Sequence, residues 1–414
     1  MENSPDIPGE GWLPKVIDAG LLLILLAAPT QFSFEVADKV YLSIVDPLVW
    51  GVTALWGIHI LRARAITSVR LPPLYLVLFI AMGAMSVLRS IQVMASVKDL
   101  FQLTEYFIAG YLLFFHHLDD RPQRLHRFIT IFLAVSAIVV FAGLLQYASE
   151  PIEDFRVRGT FGNRNVFGGF LALTLPLFFG IMLHAPGTWT RACCLTVIVF
   201  GLGITLSGGS FIAIVLAFAV LALIRHMAAF ITCCIVLCAG IVFLLPQLPR
   251  ANYDVLFESI ALYPDGAEVG NRYTEWQAAA VMTEENPLLG VGIGNYQANI
   301  GQYYGSLPSP AVKLEDDSQN MYLVVASTMG LPGLALLLAL LISHAWSAVV
   351  LYWRSTDDRQ RGLSLGLLGS IVAFSLNGIW SPLLVRGIGI PLAFVFVLIA
   401  VLGRVPATAS EQPN

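Results

Sequence analysis

Asn271-Arg-Tyr-Thr-Glu-Trp276, Asn286-Pro-Leu-Leu-Gly-Val-Gly-Ile-Gly-Asn295 and Glu315-Asp-Asp-Ser-Gln-Asn-Met-Tyr-Leu323 mark out one long polar interlude, which closes on Gly330-Leu-Pro-Gly333. On either side the chain is a succession of apolar runs. Hydrophobic residues make up 57% of it and charged ones 12%, about half the roughly 25% usual in soluble domains. The charges cluster between runs of membrane-spanning length, the pattern of a polytopic membrane protein. The net charge of −4 is too small to argue for nucleic acid or any acidic partner. The first apolar run has neither a basic leader nor a small-residue cleavage site, so it reads as a retained span. All five cysteines, Cys193, Cys194, Cys233, Cys234 and Cys238, fall inside apolar runs. They read as small buried hydrophobes, with no disulfide framework or zinc site.

About 20 apolar residues cross the hydrocarbon core. That ruler places segments near 13–31, 40–62, 72–94, 97–116, 125–148, 163–184, 190–207, 209–225 and 227–246. Three more lie near 330–353, 362–380 and 386–403. The expected fold is an all-α polytopic membrane protein of about twelve transmembrane helices. A large extracytoplasmic loop with short helices separates spans nine and ten. The divisions are 1–246 for the first nine spans, 247–329 for the loop, and 330–414 for the last three spans and a short cytoplasmic tail. Arginines at 62, 64, 70, 121, 124, 127, 191, 225, 354, 359, 361 and 404 fall on one side under this count. The positive-inside rule makes that side cytoplasmic, with both termini there and the polar loop outside.

Asn320 to Trp353 as one straight helix would be about 51 Å long, too long for the membrane. Pro332 disfavours helix at Leu331, and Gly330 and Gly333 flank it. A short helix from Asn320 to Met329, a kink and then the span are expected, with Gln319 and Asn320 at the start. Gly290-Val-Gly-Ile-Gly294 lacks dinucleotide-loop spacing and a βαβ setting, so it reads as a tight turn docking the loop. Asp46, Arg89, Glu105 and Arg386 are charges within or at the edge of spans, all in the outer half. No internal repeat is evident, and the polar features open outward only.

Arg156, Arg158 and Arg164 crowd one short outside loop, against the positive-inside bias. Guanidinium forks match phosphate oxygens, and Gly159 and Gly162 permit close backbone approach. Local pairing with Glu150, Glu153 and Asp154 accounts for them equally well. Arg272, Glu275 and Trp276 share a helical face, with Asn271 as an N-cap. Arg272 then pairs either with Glu275 or with a ligand phosphate at the helix N-terminus.

Taken together, these motifs resemble the O-antigen ligase and polymerase superfamily of membrane glycosyltransferases. The resemblance rests on Arg158-Gly-Thr-Phe-Gly-Asn-Arg-Asn165, Arg272 with Trp276, Asn286-Pro-Leu-Leu-Gly-Val-Gly292 before Gly294-Asn-Tyr296, Asn320-Met-Tyr-Leu323, and the Gly330/Gly333 pair. It implies transfer of a glycan from undecaprenyl diphosphate to lipid A-core sugar or to another lipid-linked repeat unit. The resemblance also implies that the reaction takes place without a metal or other cofactor, on the periplasmic face of the bacterial inner membrane. It also implies that Arg272, with an arginine among Arg156, Arg158 and Arg164, holds the diphosphate, and that Asn320, Tyr322, Trp276, Gly330 and Gly333 support the site. The family has histidine where this chain has Gln319, and glutamine is no base near neutral pH. Glu315, Asp316 and Asp317 lie just upstream as carboxylates able to take that role, or as a solvated acidic loop. A polyprenol-glycan flippase or other transporter, and a catalytically impaired family member, are the alternatives.

Overall fold

The computed structural model describes residues 11–30, 33–37, 40–65, 69–149, 157–205, 207–243, 267–304 and 319–404. Glu315, Asp316, Asp317 and Arg156 lie outside them. Apart from one short hairpin, the elements are helices. In order they are α1 (Trp12–Ala27), the antiparallel strands β1 (Ser33–Ala37) and β2 (Val40–Ser43), α2 (Val45–Arg62), α3 (Leu74–Ser86), α4 (Val93–Thr104), a π-helical turn (Glu105–Gly110) and α5 (Tyr111–Leu118). Then come α6 (Pro122–Ser149), α7 (Arg164–His184), α8 (Thr188–Ile204), α9 (Gly208–Arg225) and α10 (Met227–Phe243). The polar interlude holds α11 (Ala267–Glu285) and α12 (Tyr296–Tyr304), and the chain continues as α13 (Met321–Arg354), α14 (Asp358–Asn377) and α15 (Gly389–Leu402).

Each apolar run anticipated from the sequence carries helix, although the second begins at Val45 because 40–43 pairs as a strand. By length and composition, α6, α7, α9 and α13 suit a membrane crossing, and Leu74–Arg89, α8 and α15 are shorter apolar helices. Lipid tails are as apolar as leucine, so such helices associate by close packing of small residues rather than by excluding water. The pair α7 and α14 shows this most clearly. A Cβ built on Gly180 would stand 2.3 Å from the Gly366 nitrogen and 2.6 Å from the Gly362 oxygen. The two backbones touch there, and one added methyl would push them apart.

Charges collect at the two ends of the bundle. At one end Asp18 meets His117 at 2.7 Å and Arg127 at 3.0 Å, while Asp119 meets Arg70 at 2.9 Å and Arg404 at 3.1 Å. These arginines come from loops far apart in sequence that the charge rule assigns to one side. At the other end Arg386 pairs with Asp46 at 2.8 Å, and Arg89 donates to Asn286 Oδ1 at 3.2 Å. Three of the four charges singled out within spans therefore gather in one place, since Glu105 also lies within the fields of Asp46 and Arg386.

The break in α13 falls where expected, at Gly330, with φ 73° and ψ 176°. Pro332 has no N–H to offer the Thr328 carbonyl, and the break takes the Leu331 N–H away from the Ser327 carbonyl. The glycine-rich loop supplies the missing partners. Val291 N donates to Ser327 O at 2.9 Å, Gly292 N to Thr328 O at 3.0 Å, and Leu331 N to Pro287 O at 2.8 Å. Gly290, Gly292 and Gly294 all have positive φ, and a Cβ on Gly290 would strike the Thr328 carbonyl carbon at 2.3 Å. Gly290–Gly294 is thus the docking turn its sequence suggested.

Gly330→Ala is expected to destabilise the protein by about 1–3 kcal/mol from backbone strain alone. The new methyl would also sit 2.3 Å from the Leu288 oxygen. A lowered melting temperature in detergent, with Gly301→Ala as the control at an open position, checks this.

Candidate functional site

The second end of the bundle is where α7 and α13 begin, and capping fixes both starts. Asn163 Oδ1 accepts from Asn165 N at 2.7 Å and Val166 N at 3.2 Å, which starts α7. Asn320 Oδ1 accepts from Tyr322 N at 2.9 Å and Leu323 N at 3.1 Å, which starts α13. Each asparagine satisfies amides that the first turn leaves without a carbonyl. The start of α13 is also tied to the end of α14, through Met321 N to Gly378 O at 2.8 Å and the Tyr322 hydroxyl to Ser375 O at 2.7 Å.

Between the two starts, Asn165 Nδ2 donates to Gln319 Oε1 at 3.2 Å. Asn165 Oδ1 in turn accepts from Ser207 Oγ at 3.2 Å, and Ser210 Oγ, with one proton to give, lies 3.3 Å from Ser207 Oγ and 3.2 Å from Asn377 Oδ1. A line of amides and hydroxyls therefore runs from Gln319 into the bundle across α7, α9 and α14. Gln319 has φ +50°, a left-handed backbone that costs a non-glycine residue energy. Its amide oxygen accepts from Asn165, and an amide is no base near neutral pH.

The Arg158–Asn165 loop is held by its backbone. Gln146 Oε1 accepts from Arg158 N at 3.1 Å and Gly159 N at 2.8 Å, and Gly159 (φ +55°) presses on Phe167. The Arg158 side chain is exposed and that of Arg164 half-buried. Arg272 is half-buried in the second turn of α11. Asn271 is not the N-cap, because α11 starts four residues earlier at Ala267, so the macrodipole does not bear on Arg272. The shared face does form, with Glu275 buried and Trp276 half-buried. Further along, Ala278, Ala279 and Met282 pack with Val291, Tyr296, Ile300 and Tyr303 into a small separate core against Leu323 and Val324. Tyr303 OH accepts from Asn286 Nδ2 at 3.4 Å, and burial, together with Glu285, raises its pKa, so it stays a neutral phenol. Gly333 abuts Met329 behind the kink.

These elements line an open cavity of about 610 Å³. Gly162, Asn163 and Val166 form one wall, Ile293 and Gly294 of the glycine loop a second, and Val324, Val325, Thr328 and Met329 of α13 a third. Lys98, Asp99, Gln102 and Leu103 of α4, with Leu384, Val385 and Arg386, complete it. Three of the sequence motifs thus meet around one space. Arg158, Arg164, Arg272, Trp276, Gln319, Asn320 and Tyr322 are not among its walls. Lys98 and Asp99 are walls that sequence reasoning passed over. Both fall at the start of the run placed near 97–116, and α4 begins before them at Val93, so they lie within the helix. All seven histidines lie toward the other end. His116 and His117 sit beside Arg70 and Asp18, His184 edges onto Tyr352, and His344 stacks on Phe396. His59 and His226 close α2 and α9, and His126 opens α6.

A helical membrane protein with a cavity walled by motif loops at one end of its bundle, and a second of about 800 Å³ beside Arg354 and Arg404 at the other, is the class that the fold and site define. Residues 192–338 match the O-antigen ligase family model. That segment takes in the glycine loop, Arg272, Gln319, Asn320 and both kink glycines, and it supports the O-antigen ligase and polymerase superfamily for this chain. No curated protein matches. The family suggests a glycosyltransferase-like role in polysaccharide assembly. The Arg158–Asn165 motif lies outside the matched segment and is joined to it by the Asn165–Gln319 hydrogen bond.

Asn320→Ala removes both cap acceptors at the start of α13 and should cost about 0.5–2 kcal/mol. Thermal unfolding in detergent should show the loss, and Asn320→Asp should recover most of it.

Proposed function

We propose that the protein transfers glycan from undecaprenyl diphosphate to an acceptor sugar on the extracytoplasmic face of the bacterial inner membrane. The acceptor is lipid A-core in a ligase and another lipid-linked repeat unit in a polymerase. The observation that carries this reading is the cavity itself, at the junction of three motifs and opposite the arginine-rich end that the positive-inside rule assigns to the cytoplasm. Both termini are then cytoplasmic and the polar interlude periplasmic.

In this reading Arg272 and the arginines at 156, 158 and 164 receive the diphosphate, whose charge grows as the glycosyl bond breaks. Fixed guanidinium groups in a poorly hydrated site suit that electrostatic work. Gln319 and Asn320 stand on the acceptor side, and a carboxylate rather than a histidine takes the proton. Metal plays no part in these roles.

Arg272→Ala should abolish surface polysaccharide while the protein level stays unchanged. Normal surface glycan on that variant would remove Arg272 from the reaction. Lipopolysaccharide from a deletion strain, separated by size, distinguishes the acceptors. Bare core is expected for a lost ligase, and core with a single repeat for a lost polymerase. Lipid-linked glycan trapped on the cytoplasmic side would instead point to a flippase.

A further inference from the structure

The reaction needs somewhere to put a proton, and the family's histidine position is occupied by an amide already engaged with Asn165. Among the described walls of the cavity, Asp99 is the sole side chain able to accept one. The other polar walls are Lys98, Gln102, Asn163, Thr328 and Arg386, which are cations, amides and a hydroxyl. We propose that Asp99 is the carboxylate that takes the acceptor proton, a role resting on the glycan-transfer reading above.

Three features of the site support this. First, Asp99 is held in place. It lies on α4 against the glycine loop, where a Cβ on Gly294 would stand 3.0 Å from Asp99 Oδ2 and 2.7 Å from the Ala95 oxygen. Gly294 (φ +74°) leaves that space open, so the loop closes on the carboxylate without covering it. Asn295, fully buried, locks the same junction by donating to Ser96 Oγ at 2.7 Å and accepting from Gln92 N at 2.7 Å. Second, the charges that act on Asp99 are Lys98 on its own helix and Arg386 across the cavity, both of which also line it. Arg386 is itself paired with Asp46 and within the field of Glu105. Anion and cation thus share one chamber, as a reaction requires that removes a proton from one substrate and releases a phosphate anion from the other. Third, apart from Arg386, the walls contributed by the loops and by α13 add no ionisable group among the described residues, so Asp99 is the one carboxylate among those walls.

The step balances as follows. The acceptor hydroxyl oxygen forms a bond to the anomeric carbon as its proton passes to the Asp99 carboxylate. The bond between that carbon and the diphosphate oxygen breaks, and its electron pair leaves with the diphosphate. Proton loss to water afterwards restores the carboxylate.

The test is transfer by the full-length protein in proteoliposomes, using undecaprenyl-diphosphate-linked glycan as donor, with donor binding measured separately. Positioned base catalysis is typically worth about 10²–10⁴-fold. Asp99→Asn should therefore lose at least about 100-fold in turnover while binding donor like the wild type, and should lose the fall in rate at low pH that protonation of a carboxylate produces. Asp99→Glu keeps the charge one methylene further out, so it should turn over more slowly than wild type yet retain that acid limb. This second arm decides the matter if the asparagine variant is unstable. Wild-type turnover by either variant overturns the proposal, as does loss of turnover confined to a Glu315/Asp316/Asp317 triple variant. Absence of donor binding and transfer in the wild type would instead sink the glycan-transfer reading itself.

Discussion

Three backbone hydrogen bonds between the glycine loop and the kink of α13 are the constraint on which the rest of this end depends. In hydrocarbon no water is available for a carbonyl that loses its helical partner, so a broken span is tolerated only where protein satisfies the freed groups. Here the break is made by Gly330 and Pro332, and the loop at Pro287, Val291 and Gly292 supplies the missing donors and acceptor. Because the exchange uses backbone atoms, it requires the two chains to touch, which only glycine allows at 290 and 330. The same contact seats α11 and α12 over the first half of α13 and sets one wall of the cavity. Break, loop and cavity form a single device.

Much of this was legible in the sequence. Helix at each apolar run, the break near Gly330, a helix start at Asn320 and the docking role of Gly290–Gly294 follow from hydrophobic length and from proline and glycine stereochemistry. These signals are local, so reading them needs no knowledge of partners. The α11 boundary was misread for the same reason. Asn271 has the chemistry of a cap, but the helix continues upstream of it to Ala267. The cavity was not legible, because Lys98, Arg386 and Asn163 lie far apart in the chain and meet only through tertiary packing. The short hairpin at 33–43 was missed because a run of that length next to a span reads equally well as the span's own beginning.

The ionic groups inside the bundle show how a cation can be afforded near hydrocarbon. Arg386 is a cavity wall, yet it keeps a carboxylate at 2.8 Å on Asp46, and Asp46 Oδ2 in turn accepts from Ser43 N at 2.9 Å. A buried charge with a partner and a backbone donor behind it is far less costly than a lone one. The arrangement holds a guanidinium at the chamber without leaving it isolated when no anion is bound. Glu105, buried on the π-helical turn beside this pair, adds a further ionisable group where the helix widens.

The backbone contact between α7 and α14 has a mechanical consequence. Asn163 and Asn165 stand at the head of α7, and α14 ends at Asn377, just before the residue that anchors Met321. With the Gly180 and Gly366 backbones in direct contact, these two helices have no side-chain layer at that crossing through which to shift. The wall carrying the asparagines and the start of α13 therefore behaves as a fixed jaw. Any widening of the chamber to admit a bulky ligand falls to the opposite jaw, where α4 meets the glycine loop through side chains and hydrogen bonds that can be remade.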